Sequence, residues 1–270
     1  MIKDLVVIGD AEQILRNHMK KRKKNGRLVV GACLLGFLVI TIGGCSLPNK
    51  QDAAEQVILL HGLGRKGNAM FLLQKRIREA GYEAHSIEYA SLKEPPDVIL
   101  EKVGEQIERC CRNDSRPVHF VGHSLGGLIV RAYLDQKPLK NLGRVVLLGT
   151  PSQGNELVDI YGDSWLFKIL GPTARLLGTH EDSFPNHIGP PYYPLGIIAG
   201  TSSFTITDGH LPGPDDGLVS VKSTKIDGMT DFMLVDTSHS MMRYNERVAR
   251  ETIHFLKEGH FSQSPANSNP

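Results

Sequence analysis

One segment, Val118–Leu134, restricts the possible folds more than any other part of the sequence. Val118–Val121 is typical of a buried strand, and Leu128–Leu134 has the apolar content of a packed helix. Gly122-His-Ser-Leu-Gly126 lies between them, so the chain must pass from strand to helix through a very tight turn. The segment therefore predicts a strand–turn–helix unit with Ser124 at the turn.

The chemistry of Ser124 depends on this turn. A serine in this setting needs a strained backbone conformation to project its hydroxyl above the edge of a sheet. Gly122 and Gly126 stand at the two positions where a side chain would collide with the strand or the helix. The first N–H groups of the following helix favour negative charge near the hydroxyl. We interpret Ser124 as a nucleophile rather than as an incidental serine in a glycine-rich turn, and His123 as a residue that packs behind it.

The rest of the sequence alternates short apolar runs with segments of helical periodicity. The predicted strands are Gln56–Leu60, His85–Tyr89, Val118–Val121, Arg144–Leu148, Leu195–Gly200 and Phe232–Val235, and the predicted helices are 68–80, Pro95–Cys111, Leu128–Leu134 and Met241–Lys257. This alternation implies right-handed crossovers and a mostly parallel sheet with helices on both faces. We predict one α/β domain over residues 55–258 and a disordered tail at 259–270.

The composition excludes several classes of protein. Apolar residues make up 40% of the 270 and charged residues 22%, as in a globular protein long enough for one large domain. The net charge is +2, and much of the basic excess lies in Lys20–Lys24, so no nucleic-acid surface is indicated. Four irregularly spaced cysteines do not suit a disulfide framework or a zinc site. We expect the adjacent Cys110 and Cys111 to be two thiols near the end of a helix.

Residues 1–45 are typical of an export signal. Basic residues over 20–27 precede an apolar run over 28–42, and this run is shorter than the ~20 residues that span a bilayer comfortably. Met19 is a better start for such a signal than Met1. If the protein starts at Met19, residues 1–18 are an upstream extension.

The end of the apolar run also resembles the lipobox of bacterial lipoproteins, in which a cysteine is acylated and becomes the new N-terminus. Here the sequence is Ile42-Gly-Gly-Cys45, so we expect lipidation at Cys45 and a polar tether over 46–54. We therefore expect the protein to be exported and attached to a membrane. Ser46 is not the aspartate that retains such proteins at the inner membrane, so in a Gram-negative cell the outer membrane and its periplasmic side are favoured. An uncleaved anchor and a plain signal peptide are the alternatives.

A serine hydroxyl needs a base to take its proton and a carboxylate to orient that base. In the α/β-hydrolase arrangement these partners follow the serine in the order acid, then histidine, each after a later strand. His239 lies between the last predicted strand and the last predicted helix, and we predict it to be the base. The other histidines considered either precede the serine or lie away from this loop: His85, His119, His210, His254 and His260.

The carboxylate is expected after the preceding strand, in Pro214–Val219. This loop supplies Asp215 and Asp216, and the carboxylate would orient the histidine without taking its proton. Asp208 is a weaker candidate, and Asp236 lies too near His239 in the sequence.

Several segments together resemble the bacterial lipase and esterase branch of the α/β-hydrolase superfamily. They are Leu60-His-Gly-Leu-Gly64, Gly122-His-Ser-Leu-Gly126, Gly149-Thr-Pro-Ser-Gln-Gly154, Asp216-Gly-Leu-Val219 and His239. They extend over most of residues 55–258. The resemblance implies the α/β-hydrolase fold and hydrolysis that needs no cofactor and no metal, but it does not specify the substrate.

The resemblance also assigns roles within the site. Asp216 is favoured over Asp215 because its Asp-Gly-hydrophobic-Val continuation resembles lipase acid loops. The N–H of Leu63, in the His-Gly-Leu-Gly loop, is implied as one donor to the oxyanion. The N–H of Leu125, directly after the nucleophile, is the other donor that a tetrahedral intermediate needs.

Residues 152–193 form a connection too long for a simple loop. Trp165 and Phe167 are among its apolar residues. The segment is either a lid that contacts acyl chains or an ordinary crossover helix with a long exit loop.

The function expected from these features is hydrolysis of carboxylic esters, with an ester or lipid substrate and a membrane as partners and no nucleic acid. A phospholipase or acyltransferase acting on envelope lipids is the alternative. A non-catalytic envelope binding protein would lack one or more of the catalytic residues, whereas this sequence has a candidate for each of them.

Overall fold

Six parallel strands form the central sheet of the computed structural model, which describes residues 53–111, 115–164, 170–203 and 209–262. The strands are β1 Gln56–Leu60, β2 Glu83–Ile87, β3 Val118–His123, β4 Leu142–Leu148, β5 Leu195–Gly200 and β6 Asp231–Val235. Their order across the sheet is β2-β1-β3-β4-β5-β6, and every neighbouring pair is parallel. The predicted α/β class with a mostly parallel sheet is confirmed.

Helices connect the strands. They are α1 Phe71–Glu79, α2 Pro96–Cys111, α3 Leu125–Gln136, α4 Glu156–Tyr161, α5 Gly171–Arg175, α6 Val221–Thr224 and α7 Glu246–Glu258, with 3-10 turns at Gly67–Met70 and Phe184–His187. Among the described residues, no helix combines the length and apolar character needed to cross a membrane.

The sheet is buried on both faces, as a parallel sheet covered by crossover helices must be. Successive side chains of a strand point to opposite faces, and β1 shows the consequence. Ile58 and Leu60 belong to one buried cluster, which includes side chains of α2 and α3. Val57 and Leu59 belong to a second cluster with side chains of α1 and α7. Two apolar cores therefore fix the sheet from both sides.

The parallel order places the carboxyl ends of all strands at one edge of the sheet. Ligands of open α/β sheets bind in the crevice outside this edge. The loops after β1, β3 and β6 carry Leu63, Ser124 and His239, and the connection after β5 carries Asp216. The topology alone therefore brings the predicted site residues to one side of the molecule.

Several element boundaries differ from the prediction, and three of them are described here. Strand β2 covers Glu83–Ile87 rather than His85–Tyr89, because its register against β1 begins with Gln56 beside Glu83. Helix α3 begins at Leu125, directly after Ser124, and not at Leu128. Helix α7 begins at Glu246 and not at Met241, because the Asn245 side chain accepts hydrogen bonds from the N–H groups of Arg247 and Val248 and so caps the helix.

The prediction of a disordered tail over 259–270 was wrong for its first residues, 259–262. Phe261 is fully buried and its ring lies 5.1 Å from that of Phe255. The backbone N–H of Ser262 donates to Glu251 at 2.9 Å. The fold therefore includes the chain to residue 262, because Phe261 fills part of the core under α7; residues 263–270 lie outside the described part.

The expectation of two free thiols was also wrong, because the structure joins Cys110 and Cys111 in a disulfide. The pair forms the last two residues of helix α2, Pro96–Cys111. Several predictions concern residues that the structure does not describe: the export signal, Cys45, residues 46–52 of the tether predicted over 46–54, Asp208, Trp165 and Phe167.

The long connection between β4 and β5 is attached to the domain by a buried arginine. Arg131 of helix α3 donates to the carbonyl of Ser152 at 3.0 Å and to that of Ile188 at 3.3 Å. Burial lowers the pKa of the Arg131 guanidinium. One side chain thus joins both ends of the connection to the helix that follows the predicted nucleophile.

Candidate active site

Ser124 occupies the tight turn between β3 and α3, and its backbone is strained. Its φ is 56° and its ψ is −126°, and among the described residues it is the only one other than glycine with a positive φ. Such conformations cost about 1–3 kcal/mol and persist where the surroundings enforce them. Here the N–H of Ser124 donates to Leu148 at 2.9 Å, and its carbonyl accepts from Gly127 at 3.0 Å. The side chain remains partly exposed.

The two glycines that flank the turn leave no space for side chains. A Cβ on Gly122 would lie 2.4 Å from Gly127 Cα, and a Cβ on Gly126 would lie 2.4 Å from the carbonyl oxygen of Leu60. Real Cβ atoms essentially never approach backbone so closely. Helix α3 therefore packs directly on β1 and β3 through Gly122 and Gly126, in agreement with the steric argument from the sequence.

Asp216 and His239 form a buried pair. The Nδ1 of His239 lies 2.8 Å from Oδ2 of Asp216, and the N–H of His239 donates to the carbonyl of Asp216 at 2.8 Å. The carboxylate also accepts from the N–H groups of Leu218 and Val219, at 3.0 and 2.8 Å. Because a carboxylate accepts, Nδ1 carries the hydrogen and Nε2 is left with a lone pair. The contact therefore favours the tautomer in which Nε2 can accept a proton.

The rival carboxylates have other partners. Asp215 accepts from the N–H of Gly217 at 2.7 Å, so its side chain closes the turn of the acid loop. Asp236 accepts from the Ser202 hydroxyl. Of the candidate carboxylates within the described residues, only Asp216 contacts His239.

Two further glycines make room for this pair. A Cβ on Gly149, whose φ is 53°, would lie 2.9 Å from Oδ2 of Asp216 and 3.2 Å from Nδ1 of His239. A Cβ on Gly200 would lie 2.8 Å from Cβ of Asp216. In the sequence, the Gly149-Thr-Pro segment was identified only by resemblance. In the structure, Gly149 is needed because a side chain there would collide with Asp216 and His239.

The loop after β1 approaches Ser124 closely. A Cβ on Gly62 would lie 3.0 Å from Cβ of Ser124. Tyr89 holds this loop, because its hydroxyl donates to the carbonyl of His61 and its ring stacks on that of His61 with centroids 4.1 Å apart. Within the described part of the chain, the N–H groups of Leu63 and Leu125 have no hydrogen-bond acceptor, so both are available to a ligand.

His123 connects the nucleophile turn with the loop of His239. Its Nε2 lies 2.9 Å from the carbonyl oxygen of His239, to which it donates, and the two rings are 4.8 Å apart. Burial lowers the pKa of His123 well below its ordinary value, and the nearby His239, Arg243 and Arg65 lower it further. His123 is therefore neutral and supports the backbone of His239 from behind, as the sequence interpretation placed it.

Ser124 and His239 line one cavity of about 230 Å³. Part of its wall is apolar and includes Leu157, Val158, Leu170, Ala174 and Leu177 from the β4–β5 connection, with Leu218 and Val219 from the acid loop. The connection is thus both a crossover and a wall of the cavity. The cavity is also lined by Arg65 and Arg243, which the sequence analysis did not single out.

The family model described as palmitoyl protein thioesterase matches residues 56–184. This stretch contains the loop after β1, the nucleophile turn and the start of the β4–β5 connection. A search of the curated proteins found no match in sequence.

Solved structures resemble the chain across the described domain. A lipase from Bacillus licheniformis in its mature form has a TM-score of 0.62 at 20% identity, and the match covers 76% of this chain and 92% of the lipase. An extracellular α/β-hydrolase from a Paenibacillus species has a TM-score of 0.50 at 14% identity, covering 74% of this chain and 98% of that chain. The chain has the α/β-hydrolase fold.

A phospholipase from Legionella pneumophila shares this α/β-hydrolase fold with the chain. Its TM-score is 0.54 at 14% identity, and the match covers 77% of this chain. It covers only 60% of the phospholipase, so this chain corresponds to part of that protein.

The burial of His123 leads to a prediction about stability and pH. The unfolded chain takes up a proton on this histidine below about pH 6.5, whereas the folded chain does not. The free energy of unfolding should therefore fall as pH falls from 7 to 5, by up to about 1.4 kcal/mol per pH unit for this one site. In His123→Gln, which keeps a donor for the His239 carbonyl but does not titrate, urea denaturation at several pH values should give a shallower fall.

The matched control is His180→Gln, because the side chain of His180 is 83% exposed. This variant should keep the pH dependence of the wild type. Equal slopes in His123→Gln and the wild type would contradict the prediction.

Proposed function

We propose that the protein is a serine hydrolase that cleaves carboxylic esters of lipids through an acyl-enzyme on Ser124. The observation that carries this proposal is the joint placement of Ser124, on its strained turn, and the Asp216–His239 pair around one partly apolar cavity.

In the first step, Ser124 Oγ attacks the ester carbonyl carbon while His239 Nε2 takes the hydroxyl proton. Asp216 keeps Nδ1 protonated and stabilises the imidazolium, without taking a proton itself. The carbonyl oxygen becomes negatively charged and accepts from the free N–H groups of Leu63 and Leu125. The C–O bond to the leaving group then breaks, the leaving alcohol takes the proton from His239, and the acyl group stays on Ser124.

In the second step, water replaces the alcohol. His239 takes a proton from the water as its oxygen attacks the acyl carbon, and the same two N–H groups stabilise the second tetrahedral intermediate. Collapse returns the proton to Ser124 Oγ and releases the carboxylic acid. Every proton transfer in this sequence passes through His239, whose orientation Asp216 and His123 maintain.

The comparisons and the cavity support a lipid ester as the substrate. The similar structures include a lipase and a phospholipase. The apolar wall formed by the β4–β5 connection suits an acyl chain. Thioester hydrolysis is the second candidate, because the palmitoyl protein thioesterase model matches the stretch that contains Ser124 and Leu63, and the same residues would attack a thioester carbonyl. Transfer of the acyl group to an acceptor other than water would use the same first step.

Replacing the nucleophile should abolish activity. Ser124→Ala should lower kcat on p-nitrophenyl esters by about 10⁴–10⁶, because serine hydrolases lose the acyl-enzyme route with this hydroxyl. The measurement compares purified wild type and variant on esters of increasing chain length, with the corresponding acyl thioesters in parallel. Ser115→Ala, an exposed serine before β3, is the control and should match the wild type. A folded wild type inactive on all esters and thioesters would overturn the proposal.

The neighbouring aspartates provide a matched test of the acid. Asp216→Asn should lower kcat by about 10⁴, because an amide no longer fixes the tautomer of His239. Asp215→Asn should stay within a few-fold of the wild type, because its amide oxygen can still accept from Gly217. Equal losses in both variants would show that the loop as a whole, and not the Asp216 carboxylate, supports activity.

We further propose that the enzyme is exported and attached to a membrane through a lipid on Cys45. The support is the order of basic run, apolar run and cysteine in the sequence. Cells expressing the full chain should incorporate labelled palmitate into the protein, and Cys45→Ala should not be labelled. Equal labelling of the two would exclude Cys45 as the attachment point. Cys33→Ala, a cysteine inside the apolar run, is the control.

A further inference from the structure

The loop after β6 carries a buried arginine at the wall of the active-site cavity. Arg243 is only 5% exposed and lines the cavity together with Ser124 and His239. Its Nε is buried and has no hydrogen-bond partner. Among the described residues, no carboxylate forms an ion pair with Arg243. Its guanidinium carbon makes a cation–π contact with Tyr244, 4.8 Å from the centre of the ring.

A buried guanidinium without a carboxylate is costly, because it has lost the water that would solvate its charge. Arg131 is also buried, but it donates to backbone carbonyls that compensate for the loss of water. The carboxylate of the site, Asp216, is already bound by His239 and by two backbone N–H groups. The Nε of Arg131 is also without a partner, but its Nη groups donate to carbonyls, whereas among the described residues no group accepts a hydrogen bond from Arg243.

A second arginine lines the same cavity from the opposite loop. Arg65 is exposed and follows Leu63 in the loop after β1. Both arginines line the cavity together with His123 and Ser124, so both charges lie near the turn that carries Ser124. The cavity therefore combines apolar residues along one part of its wall with two positive charges near the reacting groups.

We propose that Arg243 and Arg65 form a subsite for an anionic phosphate of the substrate, so that the preferred ester is a phosphate-bearing lipid. This inference rests on the proposed ester hydrolysis and specifies its substrate class. Guanidinium groups bind phosphate oxygens through charge-assisted hydrogen bonds, and burial strengthens them. With the acyl group at Ser124 and its chain on the apolar wall, the phosphate lies on the alcohol side of the scissile ester, as in a lysophospholipid.

The test compares two substrates with the same acyl chain in the same neutral detergent micelles: lysophosphatidic acid and monoacylglycerol. The wild type should prefer the phosphate-bearing ester at least tenfold in kcat/KM. Arg243→Gln should lower kcat/KM for lysophosphatidic acid by about 10–100-fold, mostly through KM, the range expected for one or two charge-assisted bonds. The same variant should stay within about threefold of the wild type on monoacylglycerol.

Two further variants complete the design. Arg65→Gln should lower kcat/KM for lysophosphatidic acid several-fold, and because Arg65 is exposed this variant remains decisive if Arg243→Gln does not fold. Arg250→Gln removes an exposed arginine of helix α7 outside the cavity and should match the wild type on both substrates. A monoacylglycerol carrying a succinate in place of the phosphate separates recognition of phosphate from recognition of any anion.

Each result has a defined meaning. Equal losses on the charged and neutral esters would show that Arg243 supports the structure of the loop, and would overturn the proposal. A wild type that hydrolyses monoacylglycerol as well as lysophosphatidic acid, or the succinate as well as the phosphate, would also overturn it. In these cases the ester hydrolase itself would stand. A wild type inactive on these substrates and on p-nitrophenyl esters would instead overturn the proposed function.

Discussion

The site depends on the close contact between helix α3 and strands β1 and β3 at Gly122 and Gly126. Only glycine allows this approach, and the approach forces Ser124 into a conformation that side chains rarely adopt. The cost of about 1–3 kcal/mol is offset by the apolar cores on the two faces of the sheet. The hydrogen bond from the N–H of Ser124 to Leu148 then fixes the turn to β4, so the position of the proposed nucleophile follows from the sheet itself.

Asp216 and His239, the proposed acid and base, are held by the same kind of constraint on the other side of the site. Gly149 and Gly200 follow β4 and end β5, and their missing side chains leave the space that Asp216 occupies. His123 extends from the nucleophile turn to the carbonyl of His239, so the base is bound to the strand that carries the nucleophile. Short contacts between strand ends, rather than long loops, therefore set the relative positions of these groups.

Much of the sheet could be predicted from the sequence, because buried parallel strands leave continuous apolar runs; β1 and β5 lie at the predicted residues. A helix start that depends on one capping side chain could not be predicted, as Asn245 at the start of α7 shows. The choice between Asp215 and Asp216 needed the structure, because adjacent residues differ in direction rather than in chemistry. Arg243 was missed for a related reason: arginine in a sequence indicates solvent exposure, and its burial arises only when the loop after β6 folds over the cavity.

Arg243 lies only four residues after His239, yet other contacts hold the proposed base in place. Arg243 follows His239 in one short turn, and Met242 between them is fully buried against the positions of Gly149 and Gly200. The backbone carrying His239 is therefore fixed by Asp216 and His123 at one point and by Met242 at the next. Since a displacement of the base by about 1 Å can cost 10²-fold in rate, these contacts keep the position of His239 independent of the charge of the substrate.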